Sequence, residues 1–262
     1  MTELVFDRVR VSFGHGPRTF TALHDVSLRV PAGGSVGLVG ESGSGKSTLA
    51  RAAVGLCEPT RGSITLDGTE LVHARGAALS SRRRVQMVFQ DPSSCLDPRM
   101  TIGASLIEAL RTAERRDRRR STSLGRSIEV SNLLESVQLP AAKASAFPSA
   151  LSGGQRQRVA LARALAADPA FILADEITSA LDVSVQGSVM NLLKELQAER
   201  GFGLLFISHN LAAVHYLCDN VAVLRGGRLV EAGPTTEVLH APQADYTRKL
   251  LAAVPKIGES LY

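Results

Sequence analysis

Residues 40–48, GESGSGKST, constrain this 262-residue chain more than any other stretch. They satisfy G-x-x-x-x-G-K-[ST] at Gly40, Gly45, Lys46 and Ser47, between the apolar run SVGLV at 35–39 and a helix expected over 46–56. A nearly continuous apolar run of that length reads as a strand buried on both faces. Strand, glycine loop and helix in that order let the backbone curl into a nest of N–H groups around phosphates, with the helix start adding its positive dipole end. The pattern predicts a nucleoside triphosphate site made by Gly40, Glu41, Ser42, Gly43, Ser44, Gly45, Lys46, Ser47 and Thr48. Lys46 would reach the β- and γ-phosphates, and the Ser47 hydroxyl would help to hold Mg²⁺.

Such a loop needs a carboxylate at the end of a neighbouring strand. Residues 171–176, FILADE, end an apolar run in Asp175 and Glu176. Asp175 is the expected Mg²⁺ ligand, direct or through water, and Glu176 the group that takes a proton from, or orients, the attacking water. A third element, LSGGQ at 151–155, runs on as RQRVALARAL. Ser152, Gly153, Gly154 and Gln155 would open a helix whose first turn offers free N–H groups, a second anion-binding start. By itself it is an ordinary Ser-capped helix. In a small chain it is redundant unless it serves another subunit's nucleotide.

Periodicity places these motifs in an α/β fold. Strands are expected at 4–13, 24–30, 35–39, 62–66 and 85–89, then helices at about 101–113, 127–138 and 153–167. A strand at 170–174, a helix at 184–200, a strand at 203–208, a helix at 211–217 and a hairpin (221–224 with 228–231, turning on Gly226 and Gly227) follow. This alternation implies a largely parallel central sheet, with the helical middle as an inserted lobe.

Composition excludes several classes. Only 4% of residues are aromatic and none is Trp, which argues against an aromatic-rich all-β binding module, and 44% hydrophobic content excludes wholesale disorder. The net charge is 30 − 25 = +5, and six Arg against Glu114 and Asp117 within 111–120 carry +4 of it. The remainder is close to neutral, so no nucleic-acid face is expected. The Arg-rich run reads as a solvated, partly disordered connection, with contact to acidic groups or lipid phosphates as its alternative. Cys57, Cys95 and Cys218 show no CxxC spacing, so free thiols are expected rather than disulfides or a zinc site. The N-terminus does not read as a signal peptide, since Glu3, Asp7 and Arg8 interrupt its apolar residues. The longest stretch without Asp, Glu, Lys or Arg, 201–218, carries Ser208, His209 and Asn210 and is a poor membrane span. A soluble, cytoplasmic chain is the expectation.

LSGGQ at 151–155, Asp175 following Ser152 by 23 residues, and SALD at 179–182 together resemble the ATP-binding subunit of an ABC transporter, over essentially the whole chain. The resemblance implies a P-loop NTPase core of ABC ATPase type, with an N-terminal antiparallel β subdomain and an inserted helical subdomain. It implies one domain over 1–262, with 1–95 and 165–235 as the core, 96–164 as the helical subdomain and 236–262 as a C-terminal tail. Gln90 resembles the Q-loop glutamine that contacts Mg²⁺ and the attacking water. Asp182 resembles the D-loop aspartate that links two active sites across a dimer, and His209, in FISHN, the switch histidine that contacts the γ-phosphate. Phe13 resembles the aromatic that stacks on adenine, with Phe20 as a competitor across the loop 14–19.

The segments QDPSSCLDPRMT (90–101) and APQADYTRKLLAAVP (241–255) resemble the ATPases of oligopeptide, dipeptide and nickel importers. Ile177 stands where that family usually has Pro, and no Cys follows Cys218, so no iron–sulfur cluster is expected. The implied assembly pairs this subunit with itself or a paralogue, each ATP lying between one phosphate loop and the other chain's Ser152-Gly153-Gly154. Two transmembrane permease subunits would dock near 90–101 at the cytoplasmic face of the membrane, and a periplasmic or extracellular solute-binding protein would act indirectly. Two alternatives stay open: a soluble ATPase of this type in a metabolic complex such as the phosphonate-degrading lyase, and a scaffold subunit without turnover. Intact Glu176, His209 and LSGGQ argue against the scaffold.

Overall fold

Alternating burial along the first residues builds an antiparallel sheet. The computed structural model describes residues 2–14, 16–117 and 121–253. Strand β1 (Glu3–Phe13) lies between β2 (Phe20–Pro31) and β4 (Arg61–Leu66), and the two-residue β5 (Thr69–Glu70) closes the order β2-β1-β4-β5. Leu4 and Phe6 point inward, and so do Val9 and Val11, one residue out of phase. A register shift between Phe6 and Val9, with Arg8 at φ 46°, absorbs the extra residue and keeps both pairs on the core face.

The second sheet has six strands in the order β10-β9-β3-β8-β7-β6. These are β3 (Ser35–Val39), β6 (Val85–Val88), β7 (Phe171–Asp175), β8 (Gly203–Ile207), β9 (Asn220–Arg225) and β10 (Arg228–Pro234). All neighbours are parallel except the β9–β10 hairpin, which turns on Gly226 and Gly227 as expected. Every residue of β3, β7 and β8 is buried, which requires cover on both faces. On one face Phe171, Leu173, Leu205 and Ile207 join a core with α1 (Lys46–Ala53) and the inward side chains of the antiparallel sheet. On the other, Ile172, Ala174, Leu204 and Phe206 meet α5 (Gly153–Ala166), α6 (Val183–Arg200) and α7 (Leu211–Leu217).

Between β6 and β7 the chain is helical: α3 (Ile102–Asp117), α4 (Ser123–Ser136) and α5. The structure corrects the reading of the Arg-rich run as a loose connection. Leu106, Leu110 and Ala113 extend one apolar face, so α3 continues to Asp117. Arg116 is nearly buried, donates to the Ala167 carbonyl at 2.7 Å and pairs with Asp117. Glu114 accepts from Nε and Nη2 of Arg126, both at 2.9 Å. This half of the run therefore holds the helical lobe together; residues 118–120 lie outside the described residues. Three helices had no signal strong enough to be read in advance: α2 (Ala77–Arg82) before β6, then α8 (Thr235–His240) and α9 (Asp245–Ala252) in the expected tail, whose residues 254–262 also lie outside the described residues. Among the described residues no helix is long and apolar enough to cross a membrane, and all three cysteines are free.

Candidate nucleotide site

Sheet order gathers the motifs. In the row β3-β8-β7-β6 the strands are parallel neighbours, so the loops leaving their C-terminal ends lie side by side. Those loops carry residues 40–45, His209, Asp175-Glu176 and Gln90 respectively. The C-terminal edge of a parallel sheet is where open α/β folds bind ligands.

The backbone of the expected phosphate loop depends on its glycines. Gly40 has φ 150°, and a Cβ there would run into the Leu224 carbonyl oxygen. Gly45 has φ 104°, with the Ala22 carbonyl 2.8 Å from where a Cβ would sit. Gly40→Ala is expected to lower both thermal stability and nucleotide affinity, the latter more than tenfold (about 1.4 kcal/mol or more), checked by thermal unfolding and titration with a fluorescent ATP analogue. Lys46 is 5% exposed, and its ammonium donates to the Gly40 and Glu41 carbonyls, both at 2.8 Å. Burial holds its pKa below the usual lysine value, opposed by the charges of Glu176, Asp175 and Glu41.

The Ser47 hydroxyl donates to Asp175 Oδ1 at 2.8 Å, joining the start of α1 to the end of β7. Burial pushes the Asp175 carboxyl above the usual range; the Ser47 hydrogen bond pulls it down and neighbouring Glu176 pushes it up. Two hard oxygen donors in contact suit Mg²⁺, which takes few protein ligands and completes its shell with phosphate oxygens and water. Among the described residues no group of three or more His, Cys, Asp or Glu could hold a metal ion.

Glu176 is one of seven non-glycine residues with positive φ among the described residues. Its φ is 48°, a left-handed conformation that costs a non-glycine residue about 1–2 kcal/mol. Its N–H donates to the Ile207 carbonyl at 3.0 Å, and its own carbonyl accepts from the Ser179 N–H and hydroxyl at 3.0 and 2.9 Å. Ile177, where Pro was the usual residue, is buried in the core and helps to seat this turn. The Glu176 carboxylate thus faces the end of β8, where His209 Nδ1 lies 3.7 Å away. His209 is exposed between two anchored neighbours: Ser208 N–H bonds Leu38 O at 3.3 Å, and Asn210 caps α7 through Ala212 and Ala213. Gln90 follows β6 and is exposed. The preceding residue, Phe89, lines a groove of about 430 Å³ with Met87, Cys95, Ala109, Arg163 and Ala164, between the sheet edge and the helical lobe.

Ser152 caps α5 in a reciprocal box, its hydroxyl accepting from Gln155 N–H at 3.3 Å while Gln155 Oε1 accepts from Ser152 N–H at 3.0 Å. Gly154 lies so close to Val185 that a Cβ would press on it at 2.5 Å, and Gly153 faces Leu181. The turn is thereby packed against the start of α6, where exposed Asp182 stands at the N-cap without capping the helix through its side chain. Among the described residues no hydrogen bond joins 151–155 to the phosphate loop. Phe13 and Phe20 are cross-strand partners, 47% and 65% exposed, so the structure brings the two candidates together instead of selecting one.

A model of the ABC transporter family matches residues 23–179, more than half of the chain. The chain belongs to the ABC transporter family. It is one of that family's ATP-hydrolysing subunits, and its α/β fold is that of an ATP-binding cassette. It is 46% identical over 244 residues to a putative peptide import ATP-binding protein of Brucella ovis, covering 90% of this chain and 74% of that one. It is 45% identical over 240 residues to the oligopeptide transport ATP-binding protein OppF of Bacillus subtilis, covering 90% and 77%. Among solved structures, the ATP-binding cassette MJ0796 in a dimeric post-hydrolysis state bound to ADP and Pi matches with a TM-score of 0.76 and 29% identity, over 88% of this chain and 98% of that one. CbiO1 of Clostridium perfringens, part of the cbiONQ ABC transporter complex, matches with a TM-score of 0.78 and 26% identity, over 97% and 96%.

Two supports of the ATPase site escaped the sequence reading. Gly227 N–H donates to Ser44 O at 2.9 Å while Gly227 O accepts from His24 N–H at 2.7 Å, so the hairpin tip ties the phosphate loop to β2. The glycine pair was legible as a turn, but not its destination. Tyr246 of α9 accepts the Glu41 N–H at 3.2 Å, from 205 positions away, and no motif signals it.

Proposed function

We propose that this subunit energises an importer of peptides or of a related small solute such as nickel. The observation that carries the reading is the 46% identity to a putative peptide import ATP-binding protein over 90% of this chain; the segments 90–101 and 241–255 add to it. In this reading two such subunits, identical or paralogous, enclose two ATP molecules head to tail. Each lies between the loop 40–48 of one chain and Ser152, Gly153, Gly154 and Gln155 of the other, with Asp182 at the junction. Phe13 and Phe20 offer the adenine a stacking platform. Ser47 and Asp175, with Gln90, hold Mg²⁺, which when bound supplies neutralising charge to the phosphate oxygens.

Hydrolysis follows from the side chains already described. Glu176 orients the attacking water and accepts its proton. Lys46 balances negative charge on the β- and γ-phosphates, and His209 holds the γ-phosphate while steadying Glu176. Closure of the dimer then moves the helical lobe. Two permease subunits, docked in the groove beside Gln90 and the segment 90–101, receive that motion at the cytoplasmic face of the membrane, and a solute-binding protein outside supplies the cargo. Nothing in this scheme calls for nucleic acid.

The test is affinity purification of the tagged subunit from detergent-solubilised native membranes. Two permeases and a second ATP-binding subunit are expected to co-purify. Recovery of soluble metabolic enzymes without permeases would overturn the importer reading and favour an ATPase of a non-transport complex.

A further inference from the structure

Tyr246 lies well beyond residue 179, where the family match ends, yet it reaches the nucleotide site. The residue is 7% exposed, and the Arg225 guanidinium sits over its ring, 4.8 Å from the centroid. Its phenolic oxygen accepts the Glu41 N–H, the first amide of the loop after Gly40. Glu41 is also one of the two residues whose carbonyls hold the Lys46 ammonium. One turn of backbone is thereby fixed from three sides. Leu224 crowds Gly40, Tyr246 holds Glu41, and Lys46 draws both carbonyls inward.

The tyrosine is itself held in place. Glu231 of β10 accepts the N–H groups of Gln243 and Ala244, at 2.8 and 3.1 Å, just before α9 begins. Arg225, which stacks on the ring, follows Leu224, the residue that crowds Gly40. The β9–β10 hairpin therefore anchors both ends of the contact: the helix that carries Tyr246 and the loop that it touches. A buried phenol whose single polar tip meets one residue, Glu41, at its amide and its side chain, is a directed contact and not general packing.

We infer that Tyr246 is a positioning residue for ATP binding: through the Glu41 amide it sets the entry of the phosphate loop and the carbonyls that seat Lys46, so that nucleotide affinity depends on the C-terminal helix. The inference rests on the proposed role of 40–48 as the triphosphate cradle. Tyr246→Phe keeps the ring, its burial and the Arg225 stack, and removes only the hydroxyl that meets Glu41. It is expected to weaken binding of a fluorescent ATP analogue by about three- to tenfold, the size of one net hydrogen bond. The KM for ATP should rise by more than kcat falls, with Tm within about 1 °C of wild type, a shift smaller than 1 kcal/mol produces in a domain of this size. Tyr246→Ala should lose affinity and stability together.

Lys46→Ala, measured in parallel on the full chain, separates the two ideas. Loss of binding in Lys46→Ala with wild-type affinity in Tyr246→Phe would overturn the inference alone, as would a Tyr246→Phe defect that merely tracks a fall in Tm. Wild-type binding by Lys46→Ala would overturn the cradle and the inference with it. The expected result is a graded series, with wild type tightest, Tyr246→Phe weaker at unchanged Tm, and Lys46→Ala weakest.

Discussion

Replacing Glu176 by Gln is expected to slow ATP turnover by about a hundredfold or more, the low end of what a positioned general base contributes. Nucleotide affinity should stay close to wild type, because the turn that presents this side chain is built from main-chain bonds to Ile207 and Ser179. Gln matches Glu in shape and can keep the neighbourhood of His209 Nδ1, 3.7 Å from the carboxylate. Only proton acceptance is lost. Phosphate release measured beside binding of a fluorescent ATP analogue checks this, and turnover within a few-fold of wild type would remove Glu176 from the base role.

A comparable loss is expected from Ser152→Asp, for a different reason. Asp caps helices about as well as Ser, so the start of α5 and its packing on Val185 should survive, and so should ATP binding at the chain's own loop. What changes is charge, because a carboxylate would face the triphosphate held by the opposing subunit. Like charges set against each other cost several kcal/mol, enough for about a hundredfold loss of turnover. Ser152→Asn, neutral and equally able to cap, should retain most activity. Equal turnover in Asp and Asn variants would show that this turn does not meet a second nucleotide.

The site was far more legible in the sequence than its supports. Lys46, Ser47, Asp175 and His209 stand beside runs of buried strand, and strands that are apolar throughout announce both themselves and the loops that leave them. Once the strand order is known, those loops become neighbours without further argument. Arg116 shows the opposite case. Composition made it part of a charged run, yet its guanidinium satisfies the Ala167 carbonyl behind α5, a contact set by tertiary packing that no local pattern records. α2, α8 and α9, of six to eight residues, are too short for a strong periodic signal, and none of them follows a fully buried strand as the equally short α1 and α7 do. The Phe13/Phe20 ambiguity had a related origin. The hairpin register, with its shifts along β1, decides which residues face each other, and the result was a pair.

The bonds through Gly227 have a further consequence. They fasten the proposed phosphate loop to the strand whose first residue, Phe20, faces Phe13, so in that reading the span from base to first phosphates is a fixed gauge. A gauge of that kind measures what nucleoside di- and triphosphates have in common. Under the proposed reading it would take up spent and fresh nucleotide with similar grip, and would leave the distinction between them to the row of side chains at the far end, Glu176 and His209, and to whatever surface closes over them. Exchange of product for substrate is then governed less by this frame than by how long the opposing surface stays away.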